Sequence, residues 1–116
     1  MTRGENQALG WIANYTSPQA LILASPDMGL LIPAHSGRRV LYGHPFETVD
    51  AAGQLLALES FFNGSWTSQK ADFISQNQVD YLIIGPRERM LGDFENTAGF
   101  QVVYNADGIT LYAIAP

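Results

Sequence analysis

Val79-Asp80-Tyr81-Leu82-Ile83-Ile84-Gly85-Pro86-Arg87-Glu88-Arg89 decides how the rest of the chain reads. Val79 to Ile84 is a short, largely apolar run that Gly85-Pro86 stops abruptly, as expected of a strand buried on both faces. Such strands belong to parallel sheets, whose helical crossovers cover both faces. Ala20 to Ala24 has the same character, with a proline on either side, and Arg39 to Tyr42 is a third example.

The stretch between the second and third of these runs reads as two helices, the kind of crossover that parallel strands need. Thr48 or Asp50 can cap the first, which places Ala51, Leu55, Leu58 and Phe62 at i, i+4, i+7 and i+11. Ser65 or Thr67 can start the second, with Trp66, Phe73 and Ile74 toward the core. Glu5 to Tyr15 sets Ala8, Leu9, Ile12 and Ala13 on one helical face before Ser17-Pro18 breaks the pattern. After Gly85 the character changes. Phe100 to Tyr104 and Ile109 to Ala115 flank Asn105-Ala106-Asp107-Gly108, whose residue types suit a hairpin turn. The expectation is an α/β domain spanning 1–116, a small three-layer sandwich with a mostly parallel, Rossmann-like sheet and a C-terminal antiparallel hairpin. Met1 to Gly4 is expected to be a flanking remnant or linker.

Composition bounds what such a domain can do. With 47% hydrophobic and 15% charged residues, its 116 residues suit one folded core rather than a disordered chain. The net charge is −5 and the six basic residues are scattered, so nucleic acid is not an expected partner. The absence of cysteine excludes disulfides and thiolate chemistry, and two histidines offer little for a metal. No cofactor is expected, since Gly-rich phosphate fingerprints are missing. Asp27 interrupts Ala20 to Ala34, the longest apolar candidate for a membrane span, and Glu5 and Asn6 stand where a signal peptide has its apolar run.

Polar residues gather where the three strands end: at Ser25-Pro26-Asp27, at Gly43 to Thr48, and at Gly85 to Arg89. In open α/β sheets ligands bind beyond the carboxyl ends of the strands. Asp27, His44, Glu47, Thr48, Arg87, Glu88 and Arg89 are therefore the candidate ligand-binding residues, with arginine able to grip phosphate or carboxylate. Ordinary turn chemistry accounts for the same residues: Ser-Pro and Gly-Pro stop strands, Thr48 caps a helix, and Arg87 or Arg89 pairs with Glu47 or Glu88. His44 with Glu47 is a conceivable general base, but no nucleophile elbow accompanies it. His35 reads as an exposed turn residue. Phe61-Phe62 with Trp66 reads as core or, less simply, as a docking patch.

Three motifs carry a resemblance. They are Ser25-Pro26-x-x-Gly29-x-x-x-Pro33, then Gly37-x-Arg39-Val40-x-x-Gly43-His44-x-x-Glu47-Thr48, then Asp80-Tyr81-Leu82-Ile83-Ile84-Gly85-Pro86-x-Glu88-Arg89. In this order the chain, over Ala20 to Ala115, resembles the C-terminal soluble domain of bacterial polytopic membrane proteins related to GT-C glycosyltransferases and mannosyltransferases. The resemblance implies a domain outside the cytoplasmic membrane, following transmembrane helices that this sequence does not include. It also implies that the catalytic carboxylate and the lipid-linked sugar donor belong to the membrane part. No catalytic residue is carried over, and the domain is expected to be accessory. Its implied partners are the transmembrane portion of the same protein and a carbohydrate or lipid-linked sugar. Two alternatives stay open: a free-standing small-molecule-binding module or small enzyme working at the strand ends, and a subunit-interaction domain pairing through Ile109 to Ala115.

Overall fold

Alternation along the central strands builds two cores. In the computed structural model, which describes residues 2–41, 51–63, 69–92 and 100–114, Ile22, Ile83, Ile109 and Leu111 pack on one face of a five-stranded sheet. Leu21, Leu23, Leu82 and Ile84 pack on the other. The first face is covered by α1 (Arg3–Tyr15), through Ala8, Leu9 and Ile12, and by α2 (Pro26–Ser36), through Met28 and Ile32. The second is covered by α3 (Ala51–Phe62), through Leu58, Phe61 and Phe62, and by α4 (Gln69–Gln76), through Ile74. Phe61 and Phe62 are fully buried, which makes the pair core rather than a docking patch. The three layers follow directly from side chains that point to opposite faces at successive positions.

The strands are β1 (Leu21–Leu23), β2 (Arg39–Val40), β3 (Tyr81–Ile84), β4 (Gln101–Ala106) and β5 (Ile109–Ala113), with α5 (Pro86–Arg89) following β3. Their order is β2-β1-β3-β5-β4. β1 pairs in parallel with β2 and β3, whereas β5 pairs antiparallel with β3 and β4. The sheet is therefore mixed, which corrects the expectation of a mostly parallel, Rossmann-like one. The reason lies in the hairpin: β4 and β5 form it, and β5 rather than β4 docks on β3, so two of the four strand pairings are antiparallel although β5 alone is reversed among the described strands. Asp107 and Gly108, both at positive φ (53° and 78°), make the turn, the backbone a two-residue type I′ hairpin requires. The last strand is thus interior, and pairing through its edge is not available to a second molecule.

Two helices, α2 and α5, were not expected. α2 begins on Ser25, whose Oγ accepts the Met28 N–H at 3.3 Å, has Pro26 in its first turn, and ends at Gly37 in the left-handed conformation (φ 73°). That is ordinary start and stop grammar. Pro33 inside the helix and a continuous apolar run hide it from periodicity. His35 is exposed, in the last turn of this helix rather than in a turn of its own. At the N-terminus, Thr2 caps α1 and forms a capping box with Glu5, and Arg3 and Gly4 lie in the helix's first turn.

Candidate functional site

The carboxyl ends of β1 and β3 lie side by side, and each runs into a helix through a proline. Gly85 stands at the N-cap position of α5 as Ser25 does at that of α2. Between them sits Glu88, 1% exposed. Its Oε2 accepts the Ser25 amide N–H and its Oε1 the Gly85 amide N–H, both at 2.9 Å. A Cβ on residue 85 would stand 3.3 Å from that Oε1 and 3.2 Å from the Ile109 side chain, so glycine lets the carboxylate fold back on the strand. Burial pushes the Glu88 carboxyl above its ordinary range, against the hydrogen bonds from Ser25 and Gly85.

Arg87 turns the other way, toward α1. Its Nε donates to Glu5 Oε2 at 2.5 Å, and its Nη1 lies 3.8 Å from Asp27 Oδ2. Glu5 is 2% exposed; its other oxygen accepts the Thr2 N–H at 2.8 Å. Burial pushes the Glu5 carboxyl up, but the Arg87 guanidinium and the Thr2 amide outweigh it and hold it below the usual range. The same pair raises Arg87. Arg89 reaches away from this cluster and donates to the Gly108 carbonyl on the hairpin turn.

Of the sequence-derived candidates, Asp27, Arg87 and Glu88 come together, and Arg89 stands apart. His44, Glu47 and Thr48 lie outside the described residues. Arg87 pairs with Glu5 rather than with Glu88. Glu5 is the residue the sequence reading missed, although Thr2-Arg3-Gly4-Glu5 is a recognisable capping box. Chemically, the described part of this edge spends Glu5, Arg87 and Glu88 on structural contacts, while Asp27 stays largely exposed. Among the described residues no set of three or more His, Cys, Asp or Glu side chains is placed to hold a metal ion. No helix among them is long and apolar enough to cross a membrane.

A groove of about 830 Å³ opens at the opposite edge, where β1 and β3 begin and β5 ends. Ala20, Ile74 and Val79 are its buried floor; Gln19, Ser75, Gln78 and Asp80 stand exposed around it. Tyr81 and Phe100 also line it. Sequence reasoning placed no site here: Asp80 and Tyr81 stand in the third motif, but these residues sit at strand beginnings, away from the strand ends where a ligand was expected.

The fold and its polar edge define a small mixed α/β sandwich domain. Within that class, the chain is similar in structure to the C-terminal globular domain of an oligosaccharyltransferase from Archaeoglobus fulgidus, with a TM-score of 0.71. The match covers 99% of this chain and 99% of that one, at 13% sequence identity, and is a likeness of fold. No protein-family model matches the chain, and no curated protein matches it.

Proposed function

We propose that the chain is an accessory domain, held outside the cytoplasmic membrane, of a glycosyltransferase-like integral membrane protein of the GT-C kind. The observation that carries this reading is the end-to-end likeness in fold to a C-terminal domain of an oligosaccharyltransferase, together with the motif resemblance read from the sequence. The domain itself is non-catalytic: Glu5, Arg87 and Glu88 are occupied in holding β1, β3 and their helices together. Its partners are the transmembrane portion of the same protein and the carbohydrate or lipid-linked sugar that the membrane part handles. A free-standing module working at the strand ends would need that polar edge open, and the ion pairs there count against it.

The test is made on the full-length gene product in its own cells. Hydrophobic spans upstream of this domain, recovery in the membrane fraction, and protease removal of the domain from the outer face of sealed, right-side-out vesicles are expected. A gene encoding only these residues, or a domain protected inside such vesicles, overturns the reading.

A further inference from the structure

The two polar edges of the sheet differ in how their side chains are used. At the carboxyl ends of β1 and β3, Glu5, Arg87, Glu88 and Arg89 all have protein partners. At the groove, the side chains of Gln19, Ser75, Gln78 and Tyr81 have none among the described residues. Asp80 is half engaged: Oδ2 accepts the Leu21 N–H at 2.9 Å, which fixes the carboxylate at the mouth of the groove and leaves its second oxygen available. Its backbone is pinned as well, the N–H to Leu21 O and the carbonyl to the Ile114 N–H, each at 3.0 Å.

A second observation concerns Gln78. It lies just past the C-terminus of α4 with φ 54°, while the next amide, of Val79, returns to Ile74 O at 3.1 Å. This is the position in a helix C-cap where glycine is strongly preferred. A side chain is kept there against a backbone preference of roughly 1 to 2 kcal/mol, and it stands on the rim of the groove. Strain of this kind, observed first, is a pointer to use.

We infer that this groove binds a neutral, hydroxyl-rich ligand, a short saccharide. Among the described residues the lining holds carboxamides, hydroxyls and one carboxylate, and no lysine, arginine or histidine; Arg39 nearby is committed to the Gln19 carbonyl. Phosphates and carboxylates call for cationic side chains, and Asp80 repels them. A purely apolar ligand would bury Asp80 and the carboxamides without partners, which is costly. Sugar hydroxyls both donate, to Asp80 and the carboxamide oxygens, and accept, from the carboxamide NH₂ groups. Sugar C–H faces suit Tyr81, Phe100 and the floor of Ala20, Ile74 and Val79. The groove's volume lies in the range of small-ligand sites. This site deepens the carbohydrate part of the proposed function and rests on that reading for the ligand's source, while its chemistry comes from the groove alone.

The experiment is an amide-resolved NMR titration of the chain with maltotriose, mannobiose and N,N′-diacetylchitobiose, each to about 10 mM, enough to reveal millimolar affinity. Glucose phosphate and a blocked neutral tripeptide are the comparison ligands. Saturable shifts at Gln19, Gln78, Asp80 and Tyr81 with at least one saccharide are expected. Asp80→Asn, which retains an acceptor for Leu21, and Gln78→Gly, which relieves the backbone, are each expected to weaken that affinity by about tenfold or more with the native spectrum intact. Arg89→Ala leaves it unchanged. No saturable response to any of the three saccharides overturns the inference. So do shifts confined to Trp11 and Tyr15, an aromatic pair on α1 with ring centroids 5.4 Å apart, or a tighter response to the phosphate or the tripeptide. Loss of saccharide binding leaves the vesicle experiment untouched, and a chain without membrane spans that still binds a saccharide discards the membrane reading alone.

Discussion

The Ser25 amide N–H donates to Glu88 Oε2 at 2.9 Å across 63 residues of sequence, and this bond joins the ends of the two central parallel strands. With the matching bond from Gly85, one carboxylate satisfies the capping amides of two helices. Glu88→Ala leaves both buried donors without a partner, each at about 1 to 3 kcal/mol. The expected loss is about 3 kcal/mol in urea unfolding. Glu88→Gln keeps one acceptor oxygen and turns an NH₂ toward the other amide, so a smaller loss, about 1 to 2 kcal/mol, is expected. Equal stability of the alanine variant and the parent would remove Glu88 from this role.

The two buried carboxylates answer acid in opposite senses. Glu88 is raised by burial, so the folded state holds its proton more tightly than the unfolded chain, and stability is gained as pH falls through its folded pKa. Glu5 is also pushed up by burial but is brought below its ordinary value by Arg87 and Thr2, so its contribution is present above the unfolded pKa and lost as pH falls through the folded one. Urea midpoints measured from about pH 7 to about pH 3, across the carboxylate range, separate them. The gap between the parent and Glu88→Gln is expected to widen on acidification, whereas the gap between the parent and Arg87→Ala narrows. Parallel curves would contradict both assignments.

Local signals carried the strands and most helices, because an apolar run bounded by proline or glycine is a property of adjacent residues. Val79 to Ile84 and Ala20 to Ala24 contain β3 and β1 for that reason. Which strand lies beside which is a long-range property, and nothing in Ile109 to Ala115 announces that it docks antiparallel on β3. Proline misleads in α2, where Pro26 opens the helix and Pro33 is tolerated within it. At the candidate site, Arg87 and Glu88 are legible as polar residues after a strand. Their partners are not: Glu5 is 82 residues from Arg87, and only the fold brings them together.

Arg38 ties the ends of two helices that cover the same face of the sheet. Its Nε donates to Thr16 Oγ1 at 2.8 Å, Nη2 to the carbonyls of Ala13 and Thr16 at 2.9 and 3.0 Å, and Nη1 to Ser36 O at 2.9 Å. These carbonyls belong to the ends of α1 and α2, where intrahelical donors run out. Arg38→Ala is expected to cost about 2 kcal/mol in thermal or urea unfolding. Arg38→Lys should recover little of it, because an ammonium on a flexible stem cannot reproduce a planar fork of donors. Full rescue by lysine would reduce the role of Arg38 to its charge.

Two glycines of α1 stand in different surroundings, although helix propensity favours alanine at both by about 1 kcal/mol. At Gly10 an added Cβ meets nothing within 4 Å, and Gly10→Ala is expected to stabilise the chain by about 0.5 to 1 kcal/mol. At Gly4 the Cβ would stand 2.8 Å from Asp107 Cβ and 3.3 Å from Asp107 O, in the turn of the β4–β5 hairpin. The turn's positive φ values leave it little room to yield. Overpacking of about 1 to 3 kcal/mol therefore outweighs propensity, and Gly4→Ala is expected to destabilise. Urea unfolding of the two variants side by side decides whether the first turn of α1 is built against the hairpin. A Gly4→Ala variant stabilised as much as Gly10→Ala would mean that the helix begins clear of the turn.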